Sequence, residues 1–176
     1  SVLLDVFWSK ESTDANWMLR RTDLSYIDTS YPCDEFVFVE YGGSSVLRTE
    51  FGTEYMTSST DAESWAGFAN TNPRLYPITF NEHSVVTFTA SVPSGEDALV
   101  RFRFEANLYP DTEPSFNTET VTVSGSEPAI YSVCVPSQGD NIFNSAHMYL
   151  ETRDVDVVID NVSIESDATC TSADPI

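Results

Sequence analysis

Lysine is nearly missing from this 176-residue chain: Lys10 stands alone, and the basic total of 8 faces 28 acidic residues, a formal net charge of −20. So few cations exclude a general grip on nucleic acid, whose affinity comes from neutralising phosphates with Lys and Arg. The same charge disfavours anionic membranes and polyanionic substrates such as sulfated or uronate-rich polymers. Neutral partners remain. No apolar run approaches the roughly 18 residues that a membrane span needs. Ser1 leads directly into a strand-like run, so the chain is read as a mature fragment. An acidic surface almost free of lysine suits a secreted protein in salty, marine-like water.

Histidine and cysteine are scarce too, at 2 and 3 residues. No C-x-x-C pair, H-E-x-x-H spacing, Walker loop or G-x-G-x-x-G is present, which removes the common zinc, nucleotide and dinucleotide sites. The nearest approach to a nucleophile elbow, Gly43-Ser44-Ser45, lacks its second glycine. His83 and His147 carry no motif and are read as structural or surface residues. Cys33, Cys134 and Cys170 allow three alternative single bridges with one thiol left over, or none. One bridge is expected in a secreted protein.

What the chain does have is period-two alternation broken by Gly, Pro, Asn, Asp and Ser turns. Strands are expected at 2–8, 35–41, 45–51, 84–92, 98–108, 118–123, 129–135, 146–152 and 155–164. Turns such as Tyr41-Gly42-Gly43-Ser44 and Pro93-Ser94-Gly95-Glu96 have the chemistry to join them. Helical periodicity is thin, with room for a turn or two within 14–24. Nine strands at this spacing predict an all-β, antiparallel two-sheet sandwich or jelly roll. One domain is expected over 1–166, with a loose tail over 167–176.

Alternation sorts the faces. Val100, Phe102, Phe104 and Ala106 share one phase; Arg101, Arg103, Glu105 and Asn107 share the other. In the later strand Ala146, Met148 and Leu150 oppose His147, Tyr149, Glu151 and Arg153. Val86, Phe88, Ala90 and Val92 are placed inward, Thr87, Thr89 and Ser91 outward. The two outer faces thus gather arginines, carboxylates, an amide and rings. Those types suit a sugar, since aromatic rings stack on the apolar faces of pyranoses while Arg, Asn and Glu bond hydroxyl pairs. Arg101, Arg103, Glu105, Asn107, Tyr149, Glu151 and Arg153 are the expected polar floor, and Trp65, Tyr76 and Tyr109 the expected walls. Asp160 lies in an otherwise apolar run, Val157 to Val162, where a carboxylate wants a compensating cation. A structural calcium joining Asp160 to Asp5 is one candidate. The alternation Asp154, Asp156, Asp160 otherwise reads as a solvated turn and strand, and Asn161-Val162-Ser163 as an incidental glycosylation sequon.

The run Ser84 to Ser91, then Ala98–Asn107, Glu127–Val135 and Val157–Ile164 with its Asp160-Asn161-Val162 close, resembles the β-sandwich carbohydrate-binding modules of the family 4 group. Trp65–Asn70 and Arg101–Asn107 resemble modules attached to marine laminarinases. The resemblance covers about residues 60–165. It implies a jelly roll whose concave sheet binds single glucan chains without cleaving them, and a structural calcium near Asp160. It also places Arg103, Glu105, Asn107 and Tyr149 on that sheet. The opening Leu3-Leu4-Asp5-Val6-Phe7 departs from the family's usual start, and 14–60 matches none of it. The expected function is a non-catalytic module for a neutral polysaccharide, β-1,3-glucan (laminarin), appended to a glycoside hydrolase or other modules. The alternatives are a β-jelly-roll glycanase or lyase using Glu105 with Glu151 or Tyr149 with His147, and a structural spacer of a large extracellular protein.

Overall fold

Eleven strands build two antiparallel sheets in the computed structural model, which describes residues 35–167, 169 and 170. They are β1 (Phe38–Tyr41), β2 (Ser44–Arg48), β3 (Glu54–Ser58), β4 (Gly67–Asn70), β5 (Ser84–Ser91), β6 (Asp97–Glu105), β7 (Ser115–Asn117), β8 (Val121–Ser124), β9 (Ala129–Val135), β10 (Ser145–Leu150) and β11 (Val157–Ser166). A 3-10 turn, Pro73–Leu75, is the one helical element among the described residues. The first sheet runs β1-β4-β10-β6-β7, with β8 also paired to β6; the second runs β2-β3-β11-β5-β9. The expected two-sheet sandwich is therefore present. The expected strand 2–8, the turn within 14–24, Asp5 and Cys33 fall outside the described residues, which belong to a unit starting at Cys33.

The alternation read from the sequence places the core. Val100, Phe102 and Phe104 of β6 and Ala146, Met148 and Leu150 of β10 are buried against Val86, Phe88 and Ala90 of β5. One end is closed by rings: Phe80 meets Phe104 at 4.7 Å and Phe116 at 5.3 Å, and Phe116 meets Phe143 at 5.1 Å between centroids. Such edge-to-face pairs add about 0.5–1.5 kcal/mol each beyond burial. Ser91, placed outward by its phase, is buried. It pairs with Val158 near the end of β5, where β11 covers it.

Three strands were not expected. β3, β4 and β7 are short, and β4 holds Gly67, so none offers a long alternation. Gly42 and Gly43, with φ of +67° and +96°, carry the chain from β1 in one sheet to β2 in the other. The bridge is Cys134–Cys170, closing 36 residues of chain. Cys170 is buried, and the Asp167 N–H donates to the His83 carbonyl at 2.8 Å, so residues 167 and 170 are tied to the sandwich; 171–176 fall outside the described residues.

Candidate functional site

The outer face of the β1-β4-β10-β6-β7 sheet carries an open cleft of about 670 Å³, lined by Tyr41, Trp65, Glu105, Tyr109, Thr112, His147 and Tyr149. Register explains why these meet. β10 pairs with β6 so that His147 faces Arg103, Tyr149 faces Arg101 and Ser145 faces Glu105. On its other side β10 pairs with β4, which in turn sets Tyr41 of β1 opposite Gly67. Gly67 is the gap that lets the rings approach. A Cβ there would lie 2.8 Å from the Met148 carbonyl and 2.9 Å from both the Tyr149 ring and the Tyr41 hydroxyl.

Trp65 precedes β4, beside the end of β10, and Tyr109 follows β6, beside its start. The two walls thus come from opposite strand ends, and the cleft crosses the strands between them. Trp65 is 57% exposed and Tyr109 89%, so both offer ring surface to a partner. Trp65 stacks on Tyr41 at 6.1 Å with planes 12° apart. Its segment is fastened from below: the Glu63 N–H donates to the Gly42 carbonyl at 2.9 Å, and Arg153 donates to the Glu63 carbonyl at 3.3 Å. A side chain at Gly42 would meet the Trp65 ring at 2.9 Å, a second reason for glycine in that turn.

The floor is a connected polar layer. Tyr41 Oη and His147 Nδ1 are 3.1 Å apart, and Ser145 Oγ and His147 Nε2 2.8 Å. Glu105, only 8% exposed, accepts from Arg103 Nε at 2.7 Å and faces His147 Nε2 at 3.3 Å. Arg103 also donates to Ser115 at 2.8 Å. Arg101 lies over the Tyr149 ring at 4.6 Å, a cation–π contact, while bonding Glu151 and Asn117. Burial, with the neighbouring Tyr149 and Glu105, pushes the Tyr41 phenol well above its ordinary value, so it stays protonated. Burial lowers His147, opposed by Glu105 and reinforced by Arg103.

Of the expected site residues, the cleft brings together Trp65, Glu105, Tyr109 and Tyr149. Arg101, Arg103 and Glu151 stand behind them as supports. Asn107 does not join, because β6 ends at Glu105 and the amide falls in the loop beyond. Arg153 lies past β10 and ties the Trp65 segment instead. Tyr76 is no wall. It is half-buried against the core, takes a hydrogen bond from Asn70 Nδ2 at 3.0 Å, and burial raises its phenol. Sequence reasoning missed Tyr41 and Thr112, and named His147 only on the outer face and in the catalytic alternative. The phase shared by His147 and Tyr149 was the available signal for the histidine.

Two expected chemistries lose their geometry. Glu105 sits opposite Ser145, whereas the Glu151 N–H bonds the Leu99 carbonyl, so the carboxylates attach roughly 20 Å apart along β6 at about 3.3 Å per residue. Glycosidase pairs need about 5–10 Å. His147 has both ring nitrogens against hydroxyls of the fold, so it is not poised as a base with Tyr149. Asp160 is exposed: Val157 and Ile159 are buried and Asp160 takes the outward phase, just before the register shift between Asp160 and Ser163. Its carboxylate is therefore open to solvent. No three acidic, histidine or cysteine side chains gather among the described residues, and Asp5 lies outside them. Asp154 accepts from the Thr60 N–H at 2.9 Å and Asp156 from Thr57, tying β3 to β11.

No protein-family model and no curated protein matches this chain. Among solved structures it is similar to the C-terminal family 22 carbohydrate-binding module of Clostridium thermocellum Xyn10B, with TM-score 0.50 and 16% identity over 79% of this chain and 94% of that one. A family 4 carbohydrate-binding module gives 0.47 and 15%, covering 80% and 92%. The first xylan-binding family 22 domain of Paenibacillus barcinonensis Xyn10C gives 0.47 and 16%, covering 77% and 87%. At these identities the likeness is one of fold, and the chain shares the antiparallel two-sheet sandwich of the Clostridium module.

Proposed function

We propose that this chain is a non-catalytic carbohydrate-binding module whose cleft takes one neutral polysaccharide chain, with β-1,3-glucan (laminarin) as its ligand. The observation that carries the reading is the pairing of exposed Trp65 and Tyr109 rings with a hydrogen-bonded polar floor in one open cleft. Trp65 and Tyr109 stack on sugar rings from the two walls. Glu105 Oε2 and the Tyr149 hydroxyl bond sugar hydroxyls, while Arg101 and Arg103 hold those acceptors in place. An open cleft that crosses the strands admits the middle of a chain as readily as its end. The separation of Glu105 from Glu151 supports binding over cleavage, and the Cys134–Cys170 bridge supports a secreted setting. In that setting the module serves an appended glycoside hydrolase or other modules.

Affinity electrophoresis through native gels holding laminarin, mixed-linkage glucan, xylan or alginate tests the proposal. Laminarin is expected to retard the protein, and Trp65→Ala or Tyr109→Ala to abolish the retardation. Xylan enters the panel because the Paenibacillus domain is described as xylan-binding. Retardation by xylan alone would replace the ligand and keep the cleft. New reducing ends would move the reading to an enzyme. Retardation by no glycan would overturn it.

A further inference from the structure

His147 is the imidazole in the floor of the cleft, and two hydroxyls flank it: Tyr41 Oη on Nδ1 and Ser145 Oγ on Nε2. A neutral imidazole offers one donor and one acceptor, so whichever tautomer forms, one hydroxyl donates to the ring and the other accepts from it. An imidazolium offers two donors. One hydroxyl must then turn its proton elsewhere; Ser145 is buried and sits opposite Glu105. The charged groups facing His147 are Glu105 at 3.3 Å and Arg103 from β6; Tyr41 faces it from β1 and Tyr149 from β10. β4 presents only Ala69 beside it, which does not titrate.

We propose that protonation of His147 is a built-in switch of the cleft: it turns away one flanking hydroxyl, tightens the contact between the ring and Glu105 Oε2, and loosens the Tyr41–Tyr149 floor that a bound glycan rests on. The proposal depends on the reading of the cleft as a glycan site. The floor must respond because its parts are shared. Tyr41 touches His147, Tyr149 and Trp65 at ring-centroid distances of 5.6, 6.5 and 6.1 Å. A turn of its hydroxyl therefore reaches a wall as well as the floor. Burial of His147 lowers its titration below the ordinary imidazole range, which keeps the switch set for binding near neutral pH and opens it in acid.

Two readings on the whole chain test this. The first is an NMR titration without ligand, following the His147 imidazole and the Tyr41 and Tyr149 rings from pH 8 to 4.5. The tyrosine resonances are expected to move with the histidine midpoint, and a histidine that titrates without them overturns the switch. The second is laminarin affinity against pH, expected to be flat above pH 7 and about threefold or more weaker by pH 5. His147→Asn, which keeps a donor and an acceptor but does not titrate, is expected to flatten the profile. An equal fall in that variant assigns the effect to Glu105 and overturns the proposal. Should the asparagine variant fail to fold, Tyr41→Phe removes one flanking hydroxyl and is expected to shift the His147 midpoint; an unchanged midpoint overturns it. Absence of binding at every pH would sink the glycan reading, and the ligand-free titration would still decide the switch.

Discussion

Gly67→Ala tests whether the cleft is built by backbone proximity. Its Cβ would stand 2.8 Å from the Met148 carbonyl oxygen and 2.9 Å from the Tyr149 ring and the Tyr41 hydroxyl, where ordinary contact begins at 3.4 Å. An overlap of about half an ångström against three atoms, one of them backbone, cannot be relieved by a single rotamer change. Overpacking of this kind costs about 1–3 kcal/mol. The stiffer alanine offsets about 0.5–1 kcal/mol of that, leaving a net loss of roughly 1–2 kcal/mol. At about 2–4 °C per kcal/mol for a domain of this size, thermal unfolding should fall by roughly 2–8 °C. Because the displaced atoms belong to Tyr41 and Tyr149, laminarin affinity should fall at least about threefold, read by calorimetric titration below the variant's melting range. Gly52→Ala is the control: its φ of +87° strains alanine, but the site is open and outside the cleft, so stability alone should drop. Gly67→Ala that melts and binds like the wild type would refute the argument. So would a variant that loses stability but binds normally.

Other predictions follow from single features. Closing 36 residues, the Cys134–Cys170 bridge should contribute about 4 kcal/mol by loop-closure entropy, so reduction or Cys170→Ser should lower the urea midpoint accordingly. Tyr76→Phe should cost about 0.5–1.5 kcal/mol in urea unfolding and leave glycan binding unchanged, since its hydroxyl bonds Asn70 and not the cleft. His147 binds its proton less readily folded than unfolded, so the unfolded state holds more protons once pH drops below about 6.5. Its contribution to stability is therefore complete above that pH and is lost in acid, and His147→Asn should show a shallower loss between pH 7 and 5 by thermal melting.

Alternation made the inward faces of β5, β6 and β10 legible, because each is long and alternates through its middle. The same phase set Glu105 and Tyr149 on one outer face, but their adjacency depends on β10 pairing with β6, a contact between distant segments. Tyr41 was hidden by its place at the edge of a Gly-Gly turn, and β4 by its brevity. Tyr76 and Tyr109 both read as loop aromatics. One is folded back onto Asn70 and the other left open, a difference made by tertiary contacts alone. Asp160 misled because a run of apolar neighbours suggests burial on both faces, whereas β11 buries Val157 and Ile159 and its alternate phase turns the Asp160 carboxylate to solvent.

The most direct test of the central claim is a backbone and side-chain NMR titration with laminarin oligosaccharides. Shifts concentrated at Tyr41, Trp65, Glu105, Tyr109, His147 and Tyr149 are the predicted result. Shifts confined to the β2-β3-β11-β5-β9 sheet, or no shifts with any glycan tested, would contradict it.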